Sequence, residues 1–162
     1  MTEKNKLEEC VDTFENIILT KNKKLYSSVF TGIQCLVFMK ENYNQDVSFE
    51  KFFSSIKYLD IEYSKTLWIH LTPLLRQPFF ATEKEQRYIA LSINKCIDIY
   101  ENLADQGERY YLDGLYNCVE ALHQYYKSVK TTGTGETDEL KQCVEKARKI
   151  KNYEIANIWS YE

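Results

Sequence analysis

Apolar residues recur at steps of three and four along most of the chain, a spacing typical of amphipathic α-helices. The longest regular stretch lies between Glu108 and Lys130. Its apolar positions are Leu112, Leu115, Val119, Leu122, Tyr126 and Val129. The pattern predicts a long helix here, with this stripe facing the hydrophobic core. We expect this helix to be central to the fold.

The same periodicity predicts six further helices. Their approximate spans are 2–20, 25–42, 48–59, 63–74, 82–105 and 137–152. Thr82, followed three residues later by Glu85, forms a capping box, the clearest helix-start signal in the chain. Pro73 lacks a backbone N–H and disfavours helical geometry at Thr72, so we expect a kink or an end there. The apolar residues after Asn152 predict that the tail docks on the core as a short helix.

Shorter signals place the connections between these helices. Ser48 is a suitable N-cap for the third helix, and Gly107 is positioned to end the fifth. Residues 21–24 predict a turn, and Phe79–Phe80 are expected to fill the core beneath a linker. Residues 131–136 contain no apolar side chain and predict a mobile loop before the C-terminal helix.

The chain of 162 residues has five Gly and two Pro. So few turn-forming residues argue against a β-sandwich or barrel, because those folds need many tight turns. We predict an all-α fold, a compact bundle or array of about six to seven helices that forms a single domain over residues 1–162. Helix-hairpin packing of the HEAT or TPR kind also fits, although no repeat signature is present.

The overall charge argues against nucleic-acid binding. A net charge of -3 provides no general basic excess that would attract phosphate. A local basic group near the C-terminus comprises Lys146, Arg148, Lys149 and Lys151. Cations stabilise the exposed carbonyls at the end of a helix, so we interpret this group as a solvated helix end.

The cysteines and the apolar segments indicate a cytoplasmic protein. The five Cys show no CxxC or zinc-binding spacing, and each lies in or beside an apolar stripe, as free thiols do in a reducing compartment. Neither a signal peptide nor a membrane span is expected, because the most apolar window, Val29–Met39, is too short to cross a bilayer.

Glu120 and His123 have the only metal-like spacing in the chain, a carboxylate and an imidazole three residues apart. A ferritin-like di-iron site needs that pair twice, together with two more carboxylates. The other histidine, His70, has no Glu three residues before it, so we predict no metal and no cofactor. Gly133 and Gly135 match no phosphate-binding loop, and no nucleophile elbow is present, so we predict no catalytic residues.

The thirteen tyrosines are the most unusual feature of the composition. Tyr110 and Tyr111 begin the central helix, and Tyr125 and Tyr126 lie near its end. Adjacent residues on a helix point in different directions, so one member of each pair cannot easily face the core. Exposed Tyr is frequent at protein interfaces. We predict that Tyr110, Tyr111 and Tyr125 bind a partner, while AT-rich codon drift with half-buried packing is the alternative explanation.

Acidic residues follow a three-then-four spacing on the preceding helix, at Asp98, Glu101 and Asp105. They fall opposite the apolar face of that helix, and Glu108 follows shortly after them. We predict that these four residues form an acidic ridge that binds a basic partner. A solvated outer face is the alternative explanation of the same pattern.

These observations favour a non-enzymatic cytosolic protein that binds another protein. Its most specific form is a bacterial immunity-type inhibitor, whose acidic, Tyr-rich surface covers the basic cleft of a toxin or nuclease domain. Two alternatives stay open. One is a helical enzyme or small-ligand sensor with an inter-helix pocket that uses His70, His123 or Glu120. The other is a structural adaptor subunit of a larger assembly.

Overall fold

A computed structural model describes residues 3–42, 47–75, 82–104, 109–133 and 136–161. Helices are the only regular elements in these ranges, which confirms the all-α prediction. The α-helices are α1 (Glu3–Leu19), α2 (Tyr26–Asn42), α3 (Glu50–Ser55), α4 (Ile61–Leu75), α5 (Glu83–Ala104), α6 (Arg109–Thr132), α7 (Asp138–Arg148) and α8 (Tyr153–Ala156). Short 3₁₀ segments cover Lys23–Leu25, Ile56–Tyr58 and Asn157–Tyr161.

α6 lies at the centre of the packing, where it contacts α4, α5, α7 and α8. α5 and α6 share the most extensive interface, and α5 also contacts α3 and α7. α2 packs between α1 and α4. The buried residues of α6 include Leu115, Cys118, Val119, Ala121, Leu122, Tyr125 and Val129. The prediction of a central helix with an apolar stripe is therefore confirmed.

The N-terminus of α5 has the predicted capping box. The Glu85 N–H donates to Thr82 Oγ1 at 3.2 Å, and the Thr82 N–H donates to Glu85 Oε2 at 3.0 Å. Glu85 is fully buried, and its Oε1 accepts from the Phe49 N–H at 2.9 Å and from the Ser48 hydroxyl at 3.4 Å. Ser48 Oγ accepts from the Glu50 N–H at 3.2 Å, but the N-cap of α3 is Phe49 and not the predicted Ser48. One carboxylate therefore connects the start of α5 to the start of α3.

α4 continues through Pro73 to Leu75, so the helix does not end at Thr72. Proline removes one backbone hydrogen bond, but Leu71 and Leu75 are buried on either side of it and hold the last turn against the core. The prediction for Phe79–Phe80 concerns residues outside the described ranges.

The loop predicted at 131–136 starts later than expected, because α6 extends to Thr132. Gly133 follows with a φ of +68°, and its N–H donates to the Val129 carbonyl at 3.0 Å. This left-handed conformation is the helix C-cap for which Gly is favoured, since it has no Cβ. Gly107, predicted to end the preceding helix, is not among the described residues.

The C-terminal tail docks on the bundle, as predicted. α7 ends at Arg148 rather than at 152, and the Asn152 side chain instead caps α8 by accepting from the Ile155 N–H at 3.3 Å. Ile155 and Ile158 are buried where this segment packs against α6. Their burial fixes the tail to the central helix.

Burial separates the five free cysteines into two groups. Cys96, Cys118 and Cys143 are buried on α5, α6 and α7, whereas Cys10 and Cys35 are exposed on α1 and α2. Cys10, which lies in or beside the apolar stripe of the first helix, is therefore not part of its buried face. The buried residues of α1 include Leu7, Val11 and Ile18. These residues form a narrower face than the apolar pattern suggests.

The predicted turn at 21–24 is confirmed and is connected to the start of α4. Lys21 has a φ of +57°, which is uncommon for residues other than Gly. Its ammonium donates to Asp60 Oδ1 at 2.8 Å and to the Tyr58 carbonyl at 3.1 Å. Lys23 Nζ lies 3.3 Å from Asp60 Oδ2. The hydrogen bond from Lys21 is the main reason that the pKa of Asp60 lies below its ordinary value.

We expect part of the stability to be lost in acid through Asp60. A carboxylate whose pKa is lowered by folding stabilises the fold above its unfolded pKa of about 4, and the contribution disappears as pH falls through the folded pKa. Asp60→Asn should therefore reduce the free energy of unfolding at about pH 7 and have little effect on it at about pH 2. Urea titrations at both pH values measure this difference, and an equal difference at both would contradict the assignment.

Candidate protein-binding surface

Tyr125 is fully buried, so its predicted place on the partner-binding surface is wrong. Its neighbour Tyr126 is half-buried, the reverse of the expected order. The small residues Cys118 and Ala121 are also buried, and they shift the centre of the buried face of α6 toward Tyr125. Burial raises the pKa of Tyr125, so its phenol stays protonated.

Tyr110 and Tyr111 lie in the first turn of α6, against the start of α4. Tyr110 keeps 44% of its surface exposed, and Tyr111 is half-buried. Their rings meet edge to face, with centroids 5.4 Å apart. The Tyr110 hydroxyl donates to the Glu62 carbonyl at 2.8 Å, and the Lys65 ammonium lies 5.3 Å from the centroid of the same ring. These contacts fix the orientation of Tyr110 while much of its area stays accessible.

Tyr63 on α4 extends this aromatic group. Its ring meets Tyr26 edge to face at 4.9 Å, and the Lys23 ammonium lies 5.6 Å from its centroid. Tyr63 is close enough to Tyr110 to contribute to the raised pKa of that phenol, for which burial is the main cause. We call Tyr63, Tyr110 and Tyr111 the tyrosine surface. Tyr63 is half-buried and packs against the core, as its place in an apolar stripe predicts, so the sequence alone does not mark it as part of a contact surface.

The acidic ridge faces a basic helix end. Asp98 forms an ion pair with Lys146 of α7. Glu101 is half-buried and lines a groove of about 410 Å³ together with Lys149 and Lys151. The basic group, interpreted from the sequence as a solvated helix end, therefore also neutralises part of the ridge.

The two remaining ridge residues, Asp105 and Glu108, lie outside the described ranges. Asp98, which is described, contacts α7, whereas Tyr110 contacts α4. The ridge was expected beside the tyrosines, but these contacts assign the two features to different helix junctions around α5 and α6. Hydrophobic periodicity predicts which face of a helix is buried, and it does not predict which helix lies next to it.

Glu120 and His123 line one groove of about 210 Å³ between α6 and the C-terminal segment. His123 is buried, and its ring meets Trp159 edge-on with centroids 5.1 Å apart. His70 lies instead on α4, where its Nδ1 is 2.9 Å from the Thr66 carbonyl. The two histidines thus have separate neighbours. Within the described ranges, no group of three His, Cys, Asp or Glu side chains is placed to hold a metal ion.

No protein-family model, no curated protein and no solved structure matches the chain. In the part of the chain that the structure describes, no helix has the length and apolar content that crossing a membrane requires.

Proposed function

We propose that this protein is a non-enzymatic protein-binding protein whose contact surface includes Tyr63, Tyr110 and Tyr111. The observation that carries the proposal is the state of Tyr110, which is 44% exposed and yet held by a hydrogen bond to the Glu62 carbonyl. A ring that is already oriented loses little conformational entropy on binding. It also offers a large apolar area with a polar tip, which is why Tyr is frequent among the residues that dominate interface energies.

The specific form that we propose is an immunity-type inhibitor, which binds and neutralises a bacterial toxin. The net charge of -3 supports a basic partner, such as a nuclease domain, because opposite charges accelerate association. Asp98 and Glu101, the described residues of the acidic ridge, lie at a different helix junction from the tyrosine surface and would form a second area of contact with the partner, where the ion pair of Asp98 with Lys146 would rearrange on binding. The free cysteines support the cytoplasmic location that this form requires.

We expect the tagged chain to retain the product of a neighbouring gene when both are expressed together. That product, expressed alone, should arrest cell growth, and the full chain should restore it. The double variant Tyr110→Ala and Tyr111→Ala should lose this protection, because it removes two rings of the tyrosine surface. Growth of cells that express each combination is the measurement.

Tyr153→Ala is the matched control, because Tyr153 is 80% exposed on α8 and lies outside the tyrosine surface. It should protect cells as well as the wild type does. Full protection by the double variant would show that the contact lies elsewhere on the protein. If the folded wild-type chain retains no partner from its own host, the proposal of a protein-binding function is wrong.

A further inference from the structure

α5 and α6 share the most extensive interface, and the short connection between them makes the two helices antiparallel. They approach closely where Gly114 faces Tyr100, since a Cβ added at Gly114 would be 2.4 Å from Tyr100 Cε1. In an antiparallel pair of helices, the residue one turn before a contact on one helix faces the residue one turn after that contact on the other helix. This register places Cys96 opposite Cys118 across the interface of α5 and α6.

Hydrogen bonds stabilise the charged form of Cys96. The Trp68 Nε1–H donates to its sulfur at 3.5 Å, and the Cys118 thiol and the Ser64 hydroxyl are also within hydrogen-bond reach. The bond with Cys118 is the main reason that the pKa of Cys96 falls to about 7, against the opposing effect of burial. Burial raises the pKa of Cys118. Cys96 is therefore the more acidic thiol of the pair.

We propose that Cys96 and Cys118 form a redox-sensitive dithiol, which a hydroperoxide converts into an intramolecular disulfide between α5 and α6. The Cys96 thiolate attacks the terminal oxygen of the hydroperoxide, the O–O bond breaks, and a sulfenic acid forms. The departing oxygen takes up a proton and leaves as an alcohol or as water. Cys118 then attacks the sulfenic sulfur, the S–O bond breaks, and the hydroxide leaves with the Cys118 proton as water. The two thiols lose two electrons, and one hydroperoxide gains them.

The surroundings distinguish this pair from the other thiols. Cys96 is 6% exposed and Cys118 is 0% exposed, so the thiolate is the member of the pair that a small hydroperoxide reaches first. Burial raises the pKa of Cys143 to about 12, which keeps it in the unreactive thiol form. Disulfides of cytosolic proteins in mesophiles are usually transient and redox-sensing, which is the behaviour proposed here.

Peptide mapping of the full-length chain after treatment with hydrogen peroxide tests this proposal. After alkylation and digestion without reductant, mass spectrometry should find Cys96 linked to Cys118. The fluorescence of Trp68 should fall on oxidation and return with dithiothreitol, because a disulfide quenches an indole in contact with it. A wild-type chain in which both thiols stay open to alkylation, or in which a different pair is linked, would overturn the proposal.

Two variants separate the steps of the reaction. Cys118→Ser, which keeps a hydrogen-bond donor beside Cys96, should abolish the cross-link and leave Cys96 as a sulfenic acid that dimedone labels. Cys35→Ala, which removes an exposed thiol of α2, should form the cross-link as the wild type does. Absence of dimedone labelling at Cys96 in folded Cys118→Ser would contradict the assigned order of attack. If that variant does not fold, the mapping of the wild-type chain still decides the proposal.

Discussion

Glu85→Ala is expected to lower the free energy of unfolding by about 3 kcal/mol. The Glu85 carboxylate is fully buried and accepts from the N–H groups of Thr82 and Phe49 at 3.0 and 2.9 Å. Its removal leaves the buried Phe49 N–H without an acceptor and also unpairs the N–H of Thr82, at the starts of two different helices. Urea unfolding followed by circular dichroism measures the change.

Glu83→Ala is the matched control for this substitution. Glu83 is the residue after Thr82, but its side chain is 68% exposed and forms an ion pair with Arg87 at 2.8 Å within the same helix. Exposed pairs of this kind contribute little, so the control should cost only a small fraction of what Glu85→Ala costs. Equal losses for the two variants would show that Glu85 acts as an ordinary surface charge rather than as a connection between α3 and α5.

Gly114→Ala is expected to destabilise the fold by about 2 kcal/mol, although Ala is the better helix former by about 1 kcal/mol. The new methyl group would lie 2.4 Å from Tyr100 Cε1 and 2.6 Å from Cζ. Tyr100 cannot easily move away. It is fully buried, and its hydroxyl donates to the Ile61 carbonyl at 2.5 Å and accepts from the Lys65 N–H at 3.1 Å. Thermal or urea unfolding measures the loss.

Gly32→Ala is the comparison for Gly114→Ala. A Cβ at Gly32 would also come within 2.4 Å of a ring, but the atom it meets is the far end of Phe14, which is half-buried on α1. That ring can turn toward solvent, so the substitution should cost clearly less than Gly114→Ala. The reverse ranking would contradict the close approach of α5 and α6 at Tyr100.

Signals within one helical turn were sufficient for some features of the fold. The Thr82–Glu85 capping box is readable from the sequence because both partners lie within four residues of one another. The bond from Phe49 to the same carboxylate is not readable in that way, because it depends on how α3 packs against α5. Local chemistry predicted half of the role of Glu85, and tertiary packing supplies the rest.

The same difference between local signals and tertiary packing applies to the candidate protein-binding surface. The spacing of apolar residues predicts that one tyrosine of each adjacent pair leaves the core, and Tyr110 does so. It assigns Tyr125 wrongly, because small buried residues such as Cys118 were not counted in the stripe. Tyr63 and Lys146 lie on α4 and α7. The spacing of residues within α5 or α6 therefore does not predict that these two residues lie beside Tyr110 and Asp98.

The most direct test of the proposed contact is to measure the dissociation constants of complexes between the purified partner and single variants of this protein. Isothermal titration should show binding to Tyr110→Ala that is weaker by about tenfold or more, equivalent to about 1.4 kcal/mol. Tyr153→Ala should bind as the wild type does, since Tyr153 is even more exposed, at 80% against 44% for Tyr110, but lies outside the tyrosine surface. Unchanged affinity for Tyr110→Ala, or an equal loss for both variants, would contradict a contact through this surface.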